Sequence, residues 1–188
     1  MRIENLSFSY GKKTVFSNVS LKTDDRTICL MGKSGCGKTT LLHLIAGLLK
    51  ADSGSINGVS QPCSLLFQED RLLPWLNAKD NVALVLDGGD DEKASKLLKD
   101  LGLEPDMEIS KMSGGMKRRV ALARALAFRS EVLLLDEPFK GLDENLMKSV
   151  AALIKKQGKL TIVATHSQKE AEELGAKIIR IEDGIFYY

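Results

Sequence analysis

Two short stretches of the chain carry residues whose types and spacing could handle phosphate. Gly32-Lys33-Ser34-Gly35-Cys36-Gly37-Lys38-Thr39 fits G-x-x-x-x-G-K-[ST] in full. Glycines at these places let backbone N–H groups converge on phosphate oxygens with no Cβ in the way. A helix starting at Lys38 would add its positive N-terminal end to the same site. Lys38 could then reach the β- and γ-phosphates as a point charge, and the Thr39 hydroxyl could ligate Mg²⁺. The bland alternative is a glycine-rich turn with a chance lysine. A strand before the loop and a helix after it separate the two.

The second stretch, Val132-Leu133-Leu134-Leu135-Asp136-Glu137, is an apolar strand that ends in two carboxylates. In an open α/β sheet, ligands bind at the carboxyl ends of the strands. Asp136 at that edge could hold the Mg²⁺ shell, and the adjacent Glu137 could orient and polarise an attacking water. On its own, Asp-Glu after an apolar run is also a common way to leave a sheet. The glycine-rich loop decides for the catalytic version.

The elements that must position these groups follow from pattern. Ile3 to Phe8 and Val15 to Thr23 alternate around a turn at Tyr10-Gly11-Lys12 and predict antiparallel strands. Thr27 to Met31 predicts a buried strand feeding the glycine loop, and Lys38 to Leu49 a helix. Pro62 to Gln68 and Glu131 to Leu135 predict strands, with Glu69 to Asn77 a proline-containing loop. Asp80 to Leu86, Asp91 to Leu101 and Gly114 to Ala127 predict helices, the first two separated by Gly88-Gly89. Helix Glu144 to Gln157, strand Leu160 to Thr165, helix Gln168 to Leu174 and a hairpin across Asp183-Gly184 complete the chain. Alternating strands and helices indicate an α/β fold with a mostly parallel sheet, preceded by the antiparallel β portion. Residues 77–129, helical throughout, are expected to form a small lobe inserted into that sheet, within a single domain spanning 1–188.

Composition narrows the classes. At 188 residues, 44% hydrophobic and 28% charged, the chain suits one globular core. A net charge of +2 is too small to mark a nucleic-acid binder. The longest apolar run, Leu41 to Leu49, falls well short of the roughly 20 residues needed to cross a bilayer. The start, Met1 to Asn5, lacks the pattern of a signal peptide, so a cytosolic location is expected. Cys29, Cys36 and Cys63 form no CxxC pair, which argues against a zinc site or disulfide framework.

A third stretch narrows the family. Met112-Ser113-Gly114-Gly115-Met116-Lys117-Arg118-Arg119-Val120-Ala121-Leu122-Ala123-Arg124-Ala125-Leu126 resembles the signature motif of ATP-binding cassette (ABC) proteins. Physically it is a second anion site, built from a serine hydroxyl, glycine N–H groups and a helix N-terminus. The resemblance extends over essentially the whole chain and implies a P-loop ATPase core. It implies nucleotide contacts along Gly32, Lys33, Ser34, Gly35, Cys36, Gly37, Lys38, Thr39 and Thr40. Tyr10 matches the aromatic residue that stacks on adenine, the alternative being a strand-end tyrosine at a turn. Gln68 matches the glutamine that senses Mg²⁺ and the γ-phosphate, and His166 the histidine that contacts that phosphate. Gly141-Leu142-Asp143 matches a loop that crosses the dimer interface, whereas His43 reads as ordinary surface or packing.

The resemblance therefore implies an ATPase with ATP and Mg²⁺, in which Glu137, His166, Gln68 and Lys38 serve catalysis. Thr39, Gln68 and Asp136 would hold the metal. Two copies would pair head to tail, Ser113-Gly114-Gly115 of one closing over ATP bound at Lys38 of the other. Glu69-Asp70-Arg71-Leu72-Leu73-Pro74-Trp75 is similar to the nitrate, sulfonate and taurine importer branch. That implies a transmembrane permease partner, a solute-binding protein outside the cell, and a place on the cytoplasmic face of the membrane. The same loop could instead anchor the helical lobe. Met112, Met116, Lys140-Gly141 and Ser167 depart from the commoner family residues, which bears on rate and cooperativity. The alternative is a soluble cassette ATPase acting on DNA or ribosomes. It predicts a coiled coil, a second cassette or a basic face, and none is visible in the sequence.

Overall fold

The antiparallel start of the chain is built from β1 (Arg2–Tyr10) and β2 (Lys13–Lys22), joined at Gly11, with β4 (Ser53–Asn57) on the other side of β1. Their inward residues, among them Ile3, Leu6, Phe16 and Leu21, are buried, and register shifts between Ile3 and Leu6 and between Leu6 and Phe8 interrupt the simple alternation. The computed structural model describes residues 1–188. The main sheet has the order β5 (Ser64–Leu66), β6 (Val132–Asp136), β7 (Leu160–Thr165), β3 (Thr27–Met31), β8 (Lys177–Glu182) and β9 (Ile185–Tyr187). Every pairing in it is parallel except β8 with β9, a hairpin turning through Asp183 (φ 47°) and Gly184 (φ 76°). Two successive positive φ values suit the twist of a two-residue hairpin loop.

The central strands are buried on both faces, and alternation sorts their side chains. Ile28, Leu30, Val132, Leu134, Ile162 and Ala164 face α1 (Lys38–Ile45) and the antiparallel sheet beyond it. Cys29, Leu133, Leu135 and Val163 face the opposite side, where α5 (Glu144–Lys156) and α6 (Gln168–Leu174) pack. A parallel sheet covered on both faces explains why these strands read as continuous apolar runs. Burial pushes the Cys29 thiol up to about 12, so it stays protonated and serves as packing.

Between β5 and β6 the chain is helical: α2 (Ala78–Ala83), α3 (Asp91–Asp100) and α4 (Gly114–Ala127), with single turns at Asp87–Gly89 and Ile109–Lys111. Their N-termini are set by side chains that accept backbone N–H groups, Asn77 for α2, Asp90 for α3 and Ser113 for α4. Ala94, Leu98, Val82 and Leu122 pack together inside this part and join the larger core cluster.

Sequence and structure differ at several places, one being the helix expected over Asp80 to Leu86, which runs instead over Ala78–Ala83. The helix expected over Lys38 to Leu49 ends at Ile45, because Gly47 takes φ 72° and breaks the ladder. The strand expected over Pro62 to Gln68 is confined to Ser64–Leu66. Ser53–Asn57, a polar and glycine-containing stretch with no apolar alternation, forms an unpredicted strand through pairing with Arg2, Ile3, Glu4 and Ser7.

Leu134 is fully buried at the centre of the sheet against α1. Leu134→Ala is expected to lower the unfolding free energy by about 2–5 kcal/mol, through lost burial and a residual cavity. Chemical denaturation checks this, and an unchanged midpoint would remove Leu134 from the core.

Candidate nucleotide site

The register of three neighbouring strands brings the site together. Met31 pairs with Thr165, and Asp136 with Ala164, so β3, β7 and β6 end at one edge of the sheet. The glycine loop leaves β3 there, Asp136-Glu137 leaves β6 and His166 leaves β7. The structure thus gathers these residues at the carboxyl ends of parallel strands, the edge at which open α/β sheets bind ligands.

Two glycines of the loop are required by close approach. A Cβ on Gly32 would lie 2.4 Å from the Ile181 carbonyl and 2.6 Å from Cys36 Sγ. Gly37 has φ 110°, and a Cβ there would lie 2.8 Å from the Phe16 ring. With the loop pressed this tightly, α1 begins at Lys38 directly behind it. No acidic residue lies in the first turn of α1, which leaves its positive end free for an anion. Lys38 Nζ donates to the carbonyls of Gly32 (2.7 Å) and Lys33 (3.2 Å), so its ammonium is held over the loop.

Thr39 Oγ1 donates to Asp136 Oδ2 at 2.6 Å, joining the first turn of α1 to the end of β6. Asp136 is almost fully buried, and burial raises its pKa above the ordinary carboxylate range, with the Glu137 charge adding to the rise. The Thr39 hydroxyl, Arg118 and His43 work in the opposite direction. Glu137 adopts a left-handed backbone (φ 49°), unusual for a residue with a side chain. Its N–H donates to Ala164 O at 2.8 Å, and its Oε1 lies 3.2 Å from His166 Nδ1. Behind them, Thr165 donates to Glu170, whose carboxyl burial also pushes upward in pKa.

A polar cleft of about 360 Å³ opens at this edge. All the residues lining it are ones that the sequence singles out, including Lys38, Thr39, Gln68, Asp136, Glu137 and His166. Gly32, Lys33 and Cys36 line an adjoining cavity of about 670 Å³, with His166 and the β8–β9 hairpin. Tyr10 and Ser113-Gly114-Gly115 lie outside both. Tyr10 is half exposed at the end of β1, its ring edge-on to Phe8 at 4.9 Å. Ser113 caps α4 from an exposed position, and a Cβ on Gly115 would lie 3.3 Å from the Gly141 carbonyl. His43 packs against Phe67, its ring centroid 5.9 Å away.

Sequence reasoning missed two groups at this edge, Arg118 and the Thr165–Glu170 pair. Arg118 sits in Lys117-Arg118-Arg119, which reads as a solvated charge run. The available signal was helical spacing, which sets Arg118 on one stripe with the buried Leu122 and Ala125.

Known proteins resemble the chain in sequence and in fold. The profile of the ABC transporter family (ABC_tran) matches residues 16–140. The chain belongs to that family. The aliphatic sulfonates import ATP-binding protein SsuB of Pectobacterium atrosepticum is 39% identical to the cassette over 198 residues, covering 98% of this chain and 74% of that protein. The taurine import ATP-binding protein TauB of Escherichia coli O157:H7 is 36% identical over 204 residues, covering 98% and 80%. Among solved structures, the dimeric bacterial ABC transporter cassette MJ0796 superposes with a TM-score of 0.86 at 27% identity, covering 100% of this chain and 96% of that one. Its dimeric post-hydrolysis state, bound to ADP and Pi, superposes with a TM-score of 0.84 at the same identity and coverage. The cassette is an ATP-binding, ATP-hydrolysing component of the ABC class.

The raised pKa of Asp136 has a consequence for stability. A carboxyl group that titrates higher in the folded chain than in the unfolded one binds more protons when folded. Folding stability therefore falls as pH rises from the ordinary carboxylate range through the raised value. Asp136→Asn removes that charge and is expected to raise the thermal midpoint at neutral pH without nucleotide, while weakening the stabilisation that Mg-ATP gives. Thermal melts with and without Mg-ATP check both halves; a lower midpoint without nucleotide would refute the first.

Proposed function

We propose that the cassette is the energy-coupling subunit of an importer, pairing with a second copy around two ATP to drive a separate membrane permease. One observation carries the reading. Lys38, Thr39, Gln68, Asp136, Glu137 and His166 share one polar cleft, while the capped glycine turn at Ser113 opens α4 away from it. A second anion site outside the first is what a head-to-tail pair needs, since each copy then completes the other's site. The names of the SsuB and TauB relatives support import. The dimeric state of the MJ0796 cassette supports pairing.

Residues 1–188 would act as one ATPase domain, with 77–129 as its helical lobe. Within each site, the loop N–H groups and the end of α1 hold the phosphates, Lys38 adds its charge, and Tyr10 offers a ring face to adenine. The donors fit Mg²⁺: a hydroxyl and a carboxylate oxygen 2.6 Å apart, with the Gln68 amide lining the same cleft. No cluster of His, Cys, Asp or Glu offers a complete metal cage, which suits an ion that keeps waters and phosphate oxygens. Mg²⁺ would neutralise charge developing on the transferred phosphoryl group. Glu137 orients and polarises the attacking water. His166, bonded to that carboxylate through Nδ1, has its other ring nitrogen left for the γ-phosphate.

No helix of the chain is long and apolar enough to cross a membrane. The loop after Gln68 is the proposed docking surface. Trp75 is 75% exposed there. Asn81 is fully buried, accepting from Leu73 N and donating to Leu73 O, and so fixes the loop. The proposed location is the cytoplasmic face of the membrane. A solute-binding protein on the opposite side would complete the importer.

Co-purification of the tagged chain in mild detergent tests the transport half: recovery of a multi-span permease supports it, and exclusively ribosomal or DNA-bound partners would overturn it. Ser113→Arg tests the pairing. It is expected to keep ATP affinity within about threefold while abolishing ATP-dependent dimers in light scattering. A variant that still pairs with ATP would remove Ser113 from a shared site.

A further inference from the structure

Arg118 is 4% exposed, and its guanidinium is turned toward backbone. Nη1 donates to Phe67 O at 2.6 Å, more weakly to Gln68 O at 3.4 Å, and to Asp70 Oδ1 at 3.1 Å. Nη2 donates to Asp136 O, and Nε donates to Glu137 O at 3.2 Å. One side chain on α4 thus touches both segments that carry the proposed reacting groups. These are the turn bearing Gln68 and the strand end bearing Asp136 and Glu137. Its only ion-pair partner is Asp70, which is itself part of the first segment.

We propose that Arg118 is a positioning residue for hydrolysis, locking the backbone that carries Gln68 to the backbone that carries Glu137. The proposal rests on the roles assigned above to those two side chains. The geometry supports it in three ways. Glu137 holds a left-handed backbone, a conformation that persists only when its surroundings over-determine it. The N–H of Glu137 is fixed by Ala164 and its carbonyl by Arg118, so both of its backbone polar groups are tied. The planar fork of an arginine serves several carbonyls at fixed angles, which a lysine or a neutral amide cannot reproduce.

Arg124 extends the same grip. Its guanidinium donates to Asp70 O and Arg71 O, each at 2.9 Å. The signature helix therefore holds the turn from Phe67 to Arg71 through two buried or half-buried cations, and only Arg118 also reaches the Glu137 strand end. Movement of α4 is thereby transmitted to Gln68 and Glu137 together. A positioning role predicts loss in the chemical step with nucleotide binding retained. The hydrogen bonds of Arg118 reach neither the phosphate loop nor Lys38, so ATP affinity should survive its replacement.

The experiment compares Arg118→Gln, Arg118→Lys and Asp70→Asn with the unaltered chain and with Glu137→Gln. Thermal midpoint, ATP affinity, kcat and KM are measured on each. For Arg118→Gln, kcat is expected to fall by about tenfold or more, with KM for ATP changed by less than about threefold. Arg118→Lys should recover only part of that loss, and Asp70→Asn, at a partly exposed position, should show a smaller loss in the same direction. Wild-type kcat in folded Arg118→Gln overturns the proposal, as does full recovery by Lys, which would reduce the role to charge alone. A kcat loss that disappears once corrected for the folded fraction also overturns it. Should both Arg118 variants fail to fold, unchanged kcat in Asp70→Asn decides against the proposal and reduced kcat at constant KM decides for it. Normal turnover in Glu137→Gln would defeat the assignment of Glu137 itself. An inactive Glu137→Gln beside a fully active Arg118→Gln would defeat only the inference about Arg118.

Discussion

The site depends on the register of three parallel strands. Because Met31 lies beside Thr165 and Asp136 beside Ala164, the exits of β3, β7 and β6 share one level of the sheet. A shift of one residue in any of them would turn its apolar side chains to the wrong face. It would also carry Asp136 or His166 out of reach of the loop. The two core clusters that flank the sheet fix that register, since each strand must present alternate residues to both. Packing thus does for the proposed catalytic groups what no local hydrogen bond could. It sets their relative height before any ligand arrives.

Against this frame, electrostatics works at a cost that the fold accepts. Asp136 follows four buried apolar residues and is itself buried, so its charge is disfavoured in the absence of a cation. The Thr39 hydroxyl and the Arg118 guanidinium offset that cost without removing it. Glu137 is left more open, its side chain 20% exposed, and meets His166 at the rim. Adjacent carboxylates therefore occupy different environments. One is kept dry beside a hydroxyl, and the other is held where water can reach it. Such a division suits metal binding by the first and water activation by the second.

Much of this was legible in the chain. Long apolar runs such as Val132 to Leu135, the glycine loop, and the Ser-Gly-Gly turn carry their signals in local composition. The caps at Asn77, Asp90 and Asp143 are local too, but they emerged only in the structure, where each side chain accepts a backbone N–H of the helix it starts. What stayed hidden is determined by distant partners. Ser53–Asn57 has no strand pattern of its own and becomes a strand because β1 offers an edge. The left-handed backbone of Glu137 follows from its ties to Ala164 and to α4, and nothing in Asp-Glu-Pro predicts it. Arg118 was lost in a run of three basic residues, because only tertiary packing distinguishes the one that turns inward.

The anchoring of the loop by Asn81 has a further consequence. A fully buried amide holds Leu73 by both of its backbone groups and also donates to Asn77 O, where α2 begins. The ordering entropy of that segment is therefore spent when the chain folds, not when a partner arrives. A partner at the proposed docking surface would therefore engage a segment already set in shape, and contact there would be passed on as displacement of a stiff lever rather than dissipated in slack chain.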